Sequence, residues 1–118
     1  MSTLTSLTRP WQHLPRDDDQ GNVSGSGEEH LLGEKELNGK CRIYAEITLE
    51  PGCEIGYHEH HNESETYYII SGQGVYNDNG TNRPVSAGDI TFTPDGFGHG
   101  LDNTGTENLV LMALVILD

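Results

Sequence analysis

The chain has 118 residues, of which 33% are hydrophobic. That is enough to bury one core but not two, so a single domain is expected. A formal net charge of −13 repels phosphate backbones and anionic headgroups, which argues against nucleic acid and membrane surfaces as partners.

Fifteen glycines beside so modest an apolar fraction favour a turn-rich β protein over a helical bundle. The N-terminal residues are polar, and no apolar run precedes a cleavage-like site. The longest apolar run, Leu109 to Leu117, is too short to span a bilayer and suits a buried strand. Two cysteines, Cys41 and Cys53, make no disulfide framework and read as reduced thiols in a cytoplasmic protein. On that reading the sequons at Asn22, Asn62 and Asn79 are accidental.

Residues 1–27 contain Pro10, Pro15, the run Asp17-Asp18-Asp19 and Gly25-Ser26-Gly27. They read as an extended or partly mobile arm, with Trp11 as its one large apolar anchor. Residues 28–118 then form one barrel-like domain. Glu29 to Leu32 is a short strand candidate, and Leu31 to Leu37 has room for one helical turn at most. Between Cys41 and Leu49, the residues Cys41, Ile43, Ala45, Ile47 and Leu49 alternate onto one face, a half-buried strand. Pro51-Gly52 ends it. Thr66 to Ile70 is aromatic and β-branched, hence a strand. Gln73 to Tyr76 leads into Asn77-Asp78-Asn79-Gly80, a strong hairpin signal, with a return strand over Arg83 to Val85. Ala87-Gly88-Asp89 turns the chain into Ile90-Thr91-Phe92-Thr93. Gly98 to Asp102 carries His99, and Leu109 to Leu117 closes the domain. So many short strands predict an all-β fold, an antiparallel β-barrel or sandwich.

Two segments carry the chemistry. His58 and His60 are two apart on an extended stretch, so both imidazoles share a face, with Tyr57, Glu59 and His61 on the other. Asn62-Glu63-Ser64 reads as a hairpin turn that returns Glu65 beside the pair. His99 follows the turn residues Pro94-Asp95-Gly96 and meets the others only if the sheet folds over. Three imidazoles and one carboxylate are a suitable donor set for a divalent transition metal. His13 and His30 read as ordinary surface or satisfied residues, and His61 faces away.

These segments read G-x5-H-x-H-x4-E-x6-G from Gly52 to Gly72 and G-x5-P-x-G-x2-H-x3-N from Gly88 to Asn103. They resemble the two signature motifs of the cupin superfamily, over roughly residues 40–117. The closest flavour is the small single-domain, mannose-6-phosphate-isomerase-like cupins. The resemblance implies a small jelly roll, the cupin double-stranded β-helix. It also implies one divalent metal ion per chain (Mn, Fe, Ni, Zn or Co) held by His58, His60, Glu65 and His99, and often a homodimer.

Four protein ligands leave open positions on an octahedral ion for a small oxygenated metabolite. The expected function is a metal-dependent enzyme, with isomerase, lyase, decarboxylase and dioxygenase all open. Alternatives are a non-catalytic ligand-binding or sensor module, and a structural or storage barrel. Tyr67 is the candidate acid–base residue, ahead of Tyr44 and Tyr76. Cys53, five residues before His58, faces away by parity. Met112, with Val110 and Leu114, is expected to line the barrel. Phe92 is expected in the pocket wall and Phe97 at the rim. Arg83 reads as a surface residue and Asn103 as a loop tether. Exposed sheet edges on so small a barrel predict a homodimer.

Overall fold

A computed structural model describes residues 12–13 and 26–118. The Trp11 anchor and most of the expected arm lie outside the described residues. Among the described residues, ten strands and one helical turn follow in chain order: β1 (Gln12–His13), β2 (Ser26–His30), α1 (Glu34–Leu37), β3 (Cys41–Leu49), β4 (Glu54–Glu59), β5 (Glu63–Ser71), β6 (Gln73–Asp78), β7 (Thr81–Ser86), β8 (Ile90–Thr93), β9 (Gly98–Asp102) and β10 (Leu109–Leu117). They build two antiparallel sheets, ordered β1-β2-β3-β10-β5-β8 and β4-β9-β6-β7. The sheets face each other as a jelly roll, with the main core between them.

Alternation builds that core. On β3 the buried residues are Ile43, Ala45, Ile47 and Leu49; on β10 they are Leu109, Leu111, Ala113 and Val115. The facing sheet adds Ile55, Tyr76, Val85 and Leu101 to the cluster that holds Ile47, Leu49, Leu109, Leu111 and Ala113, while Ile43, Ala45 and Val115 form a smaller cluster of their own. Each large aliphatic side chain in these clusters is worth about 1.5–3 kcal/mol of burial. The period of two runs from Leu109 to Val115, so Val110, Met112 and Leu114 lie on the outer side of β10 and are only half-buried. Met112 was expected to line the barrel and does not, because its neighbours of opposite parity fill the interior. Phe92 likewise points outward, 58% exposed, while Thr91 and Thr93 beside it take the inner positions.

The turns use the residues that turn chemistry requires. Asn79 (φ 51°) and Gly80 (φ 101°) form the two-residue loop between β6 and β7, and the Asn77 side chain accepts a hydrogen bond from the Gly80 amide (2.7 Å). Gly72 separates β5 from β6 at φ 88°, and a Cβ there would stand 2.5 Å from the Asn108 carbonyl oxygen. Asn103 ties down the loop before β10. Its Nδ2 donates to the carbonyls of Leu49 and Glu107 (2.8 Å each), and its Oδ1 accepts from the Gly105 amide (2.9 Å).

Candidate metal centre

Strand β4 pairs with β9, which sets His58 directly opposite His99. The register shifts between Ile55 and His58: three steps along β4 match two along β9. This bulge lets Ile55 and His58 both face inward, although they are an odd number of residues apart. It also overturns the parity reading of Cys53, which packs against the inner core beside Ile55 instead of facing away. The strand opposite the bulge approaches closely. A Cβ on Gly100 would stand 3.1 Å from both the Ile55 carbonyl oxygen and the Tyr57 amide nitrogen.

After His60 the chain does not make the expected hairpin over Asn62-Glu63-Ser64. It turns a corner at Asn62 (φ 65°) and enters the other sheet, with Glu63 already the first residue of β5. The turn after β8 holds this corner in place. The His60 amide donates to the Phe97 carbonyl (3.0 Å), the Gly96 amide to the His60 carbonyl (2.7 Å), and the Asn62 amide to the Asp95 carboxylate (2.6 Å). The candidate ligand that comes from across the sandwich is therefore Glu65, whereas His99 is a cross-strand neighbour of His58.

The quartet converges. One candidate donor atom each from His58, His60, Glu65 and His99 lies within 4.8 Å of the others. His60 Nε2 and His99 Nε2 are each 2.9 Å from Glu65 Oε1 and 3.1 Å from one another. His58 Nε2 is 3.7 Å from the same oxygen. Glu65 and His99 are fully buried and His60 nearly so. Each imidazole is held from behind through Nδ1. His58 donates to the Gly56 carbonyl (2.8 Å), and His60 to the Glu63 carboxylate (2.5 Å). His99 Nδ1 lies 2.8 Å from the hydroxyls of both Tyr76 and Thr93. An imidazole that donates through Nδ1 presents a lone pair at Nε2.

The donor set fits a cation. His60 Nε2 and His99 Nε2 stand only 3.1 Å apart, so with both rings protonated at Nδ1 their lone pairs repel unless a positive centre lies between them. His58 Nε2 and Glu65 Oε2 are buried with no hydrogen-bond partner among the described residues. Ligands about 2.1 Å from one ion stand about 3.0 Å apart at adjacent octahedral positions, which is close to the observed 2.9–3.1 Å spacings. Burial pushes the Glu65 carboxyl up, but the three imidazoles outweigh it and hold it well below the usual carboxylate range. Burial also pushes His60 down, yet Glu65 and Glu63 raise it overall. His99 is lowered, chiefly by burial.

Tyr67 points inward and stacks on His99, with ring centroids 4.7 Å apart and planes 19° apart. Its hydroxyl is buried without a partner among the described residues. Burial and then the Glu65 charge push the phenol well above its ordinary value, so it stays protonated. Tyr76 is also buried, but it supports His99. Tyr44 lies on the outer face of β3, half-buried. His61 is exposed and pairs with Glu59 (3.2 Å), while His30 pairs with Glu28 (2.6 Å). Arg83 is an exposed partner of Asp78 (3.3 Å), and Phe97 is 45% exposed, as a rim residue would be. Cys41 and Cys53 are free thiols. The side chain of His13 lies outside the described residues.

The supporting residues Glu63, Thr93 and Arg42 were not singled out from the sequence. A polar residue at an inward position of a strand was the available signal for Thr93, and shared parity with Glu65 for Glu63.

The sequence matches the family described as the cupin domain over residues 45–116. It is 43% identical over 96 residues to the oxalate-binding protein of Thermotoga maritima, covering 79% of each chain. It is 36% identical over 73 residues to an oxalate decarboxylase of Bacillus subtilis, covering 58% of this chain and 19% of that one. A crystal structure described as a predicted oxalate decarboxylase from Thermotoga maritima superposes with a TM-score of 0.77 at 41% identity, covering 79% of this chain and 81% of that one. The cupin domain of Schizosaccharomyces pombe Cnp3 has a TM-score of 0.71 at 16% identity, covering 82% of this chain and 69% of that one; it shares the fold.

Proposed function

The chain belongs to the cupin family, and on that premise we propose that it uses His58, His60, Glu65 and His99 to hold one divalent transition-metal ion that binds oxalate or a similarly small dicarboxylate. The observation that carries this reading is the convergence of the four donors on one buried point, with His58 Nε2 and Glu65 Oε2 lacking any other partner. The two relatives whose names specify oxalate support the ligand class. A bound ion supplies a positive centre and open positions that a two-oxygen chelator can take. One carboxylate among three neutral imidazoles leaves that centre net positive. This locally reverses the repulsion that a chain of net charge −13 exerts on an anion.

The residues around the quartet prepare it for such a ligand. Gly56, Glu63, Tyr76 and Thr93 fix the imidazoles before anything binds. Tyr67 keeps its proton and makes no hydrogen bond of ordinary length among the described residues, so its hydroxyl is the group that donates a hydrogen bond to a ligand oxygen. Turnover is the second reading. It rests on the decarboxylase relative and on Tyr67 as a buried proton donor next to the quartet.

Calorimetric titration of oxalate into metal-loaded protein tests the first reading, with chelator-treated protein and a His58→Ala/His99→Ala variant beside it. Saturable binding is expected only in the loaded native protein. Equal binding in all three would remove the metal from the reading. Release of formate and CO₂ from oxalate would establish turnover, and binding without release would leave a ligand-binding module.

The same reading includes a homodimer. The outer face of the six-stranded sheet exposes Tyr68, Ile70, Ile90 and Phe92 at 41–66% of their surface. Tyr68 pairs with Ile90, and Thr66 with Phe92, so these side chains form one continuous apolar surface. In so acidic a chain, an apolar patch that size marks a contact surface.

A further inference from the structure

The three imidazoles are not held alike. His58 donates to a neutral carbonyl and His99 faces neutral hydroxyls, but His60 donates to a carboxylate, Glu63 Oε2, at 2.5 Å. That carboxylate is gripped in turn. Arg42 Nε donates to Glu63 Oε1 and Arg42 Nη2 to Oε2, both at 2.9 Å. Such a two-pronged contact fixes a carboxylate in plane and direction, which a single ammonium contact does not.

Topology explains how the fold makes this chain. Arg42 is on β3 and Glu63 opens β5, and the two strands lie on opposite sides of β10. Arg42 therefore reaches across the end of β10, where Cys41 pairs with Ile116 and Glu63 with Leu117. Glu63 is also two residues from Glu65 on the same strand.

We infer that Arg42 and Glu63 are positioning residues that lock His60 in its Nδ1–H form and make it the strongest donor of the quartet. The inference rests on the metal reading above. A carboxylate behind a ligand imidazole raises its basicity, and losing such a partner costs about 10–100-fold in metal affinity.

Two measurements on the full chain test this. The first is Zn(II) affinity by chelator competition for native protein, Glu63→Ala, Arg42→Met and Arg42→Lys. Glu63→Ala and Arg42→Met are expected to weaken binding by about tenfold or more, with Arg42→Lys recovering only part of the loss. The second is the His60 tautomer, read from two-bond ¹H–¹⁵N correlations of metal-free protein in alkaline buffer. The native ring is expected as Nδ1–H, and Glu63→Ala as a mixture with Nε2–H.

Affinities within twofold of native together with an unchanged tautomer would overturn the inference. A change of tautomer in Glu63→Ala supports it even if the native protein holds no metal, an outcome that would instead overturn the metal reading. Arg42→Lys and Arg42→Met keep the test decisive if Glu63→Ala fails to fold.

Discussion

Tyr67 differs from the quartet in what its surroundings ask of it. Its ring is fixed against His99, while its hydroxyl is left unpaired in the interior. A buried, unpaired donor costs about 1–3 kcal/mol, and a ligand oxygen would offset that cost. Tyr67→Phe keeps the stack and removes only the hydroxyl. It is expected to leave the metal content unchanged and to weaken oxalate binding by about tenfold, measured by the same titration. An unchanged affinity would return Tyr67 to a packing role. Elemental analysis of protein purified without chelators is expected to show about one equivalent of a divalent metal, and none in Glu65→Gln combined with His99→Ala.

At the scale of the elements, the site depends on how strands end and where they shift. The bulge in β4 aims His58 inward, the corner at Asn62 carries the chain between sheets, and the Asn103 side chain locks the loop that precedes β10. Asn103 is 3% exposed and makes three hydrogen bonds. Asn103→Ala would leave the buried Leu49 carbonyl without its donor and remove the part-buried bond to Glu107, and is expected to cost about 1–3 kcal/mol. A denaturant midpoint shifted down with an unchanged slope would register that loss. Strand β8 makes the outer apolar face an edge. Phe92→Glu places a charge there and is expected to convert a dimer to a monomer in sedimentation equilibrium. A native monomer at micromolar concentration would sink the dimer.

For the whole molecule, the buried quartet ties stability to pH. Because the Glu65 carboxyl is lowered in the fold, the unfolded chain binds more protons as the solution is acidified. Its contribution is complete above the ordinary value of 4.5 and is lost as pH falls toward the lowered value. His99, lowered from 6.5, contributes in the same direction, beginning higher. His60, raised from 6.5, acts oppositely: its contribution is complete below 6.5 and is lost as pH rises through its raised value. The two histidines oppose one another near neutrality, which leaves the acid limb to Glu65. Metal-free protein is therefore expected to lose melting temperature steadily below about pH 4.5, and Glu65→Gln to flatten that limb. Added metal raises the melting temperature at neutral pH by mass action. Among the described residues no helix is long and apolar enough to cross a membrane.

By itself the sequence determined most of the strands, the buried face of β3 and the four residues that converge, because period-two alternation and ligand spacing are local properties of a chain. Ile43 through Leu49, the Asn79-Gly80 turn, the Asn103 tether and the shared face of His58 and His60 are all of this kind. Tertiary structure alone decided what depends on strand pairing and on which sheet a strand enters. A one-residue bulge reversed the parity of Cys53 relative to His58. The corner at Asn62 brought Glu65 from the opposite sheet, and crowding of the interior by Thr91 and Thr93 turned Phe92 outward. Arg42 supports the quartet from a position that no local pattern links to it. Hydrogen bonds across neighbouring strands join residues by register, and register is set only when the two sheets close on a common core.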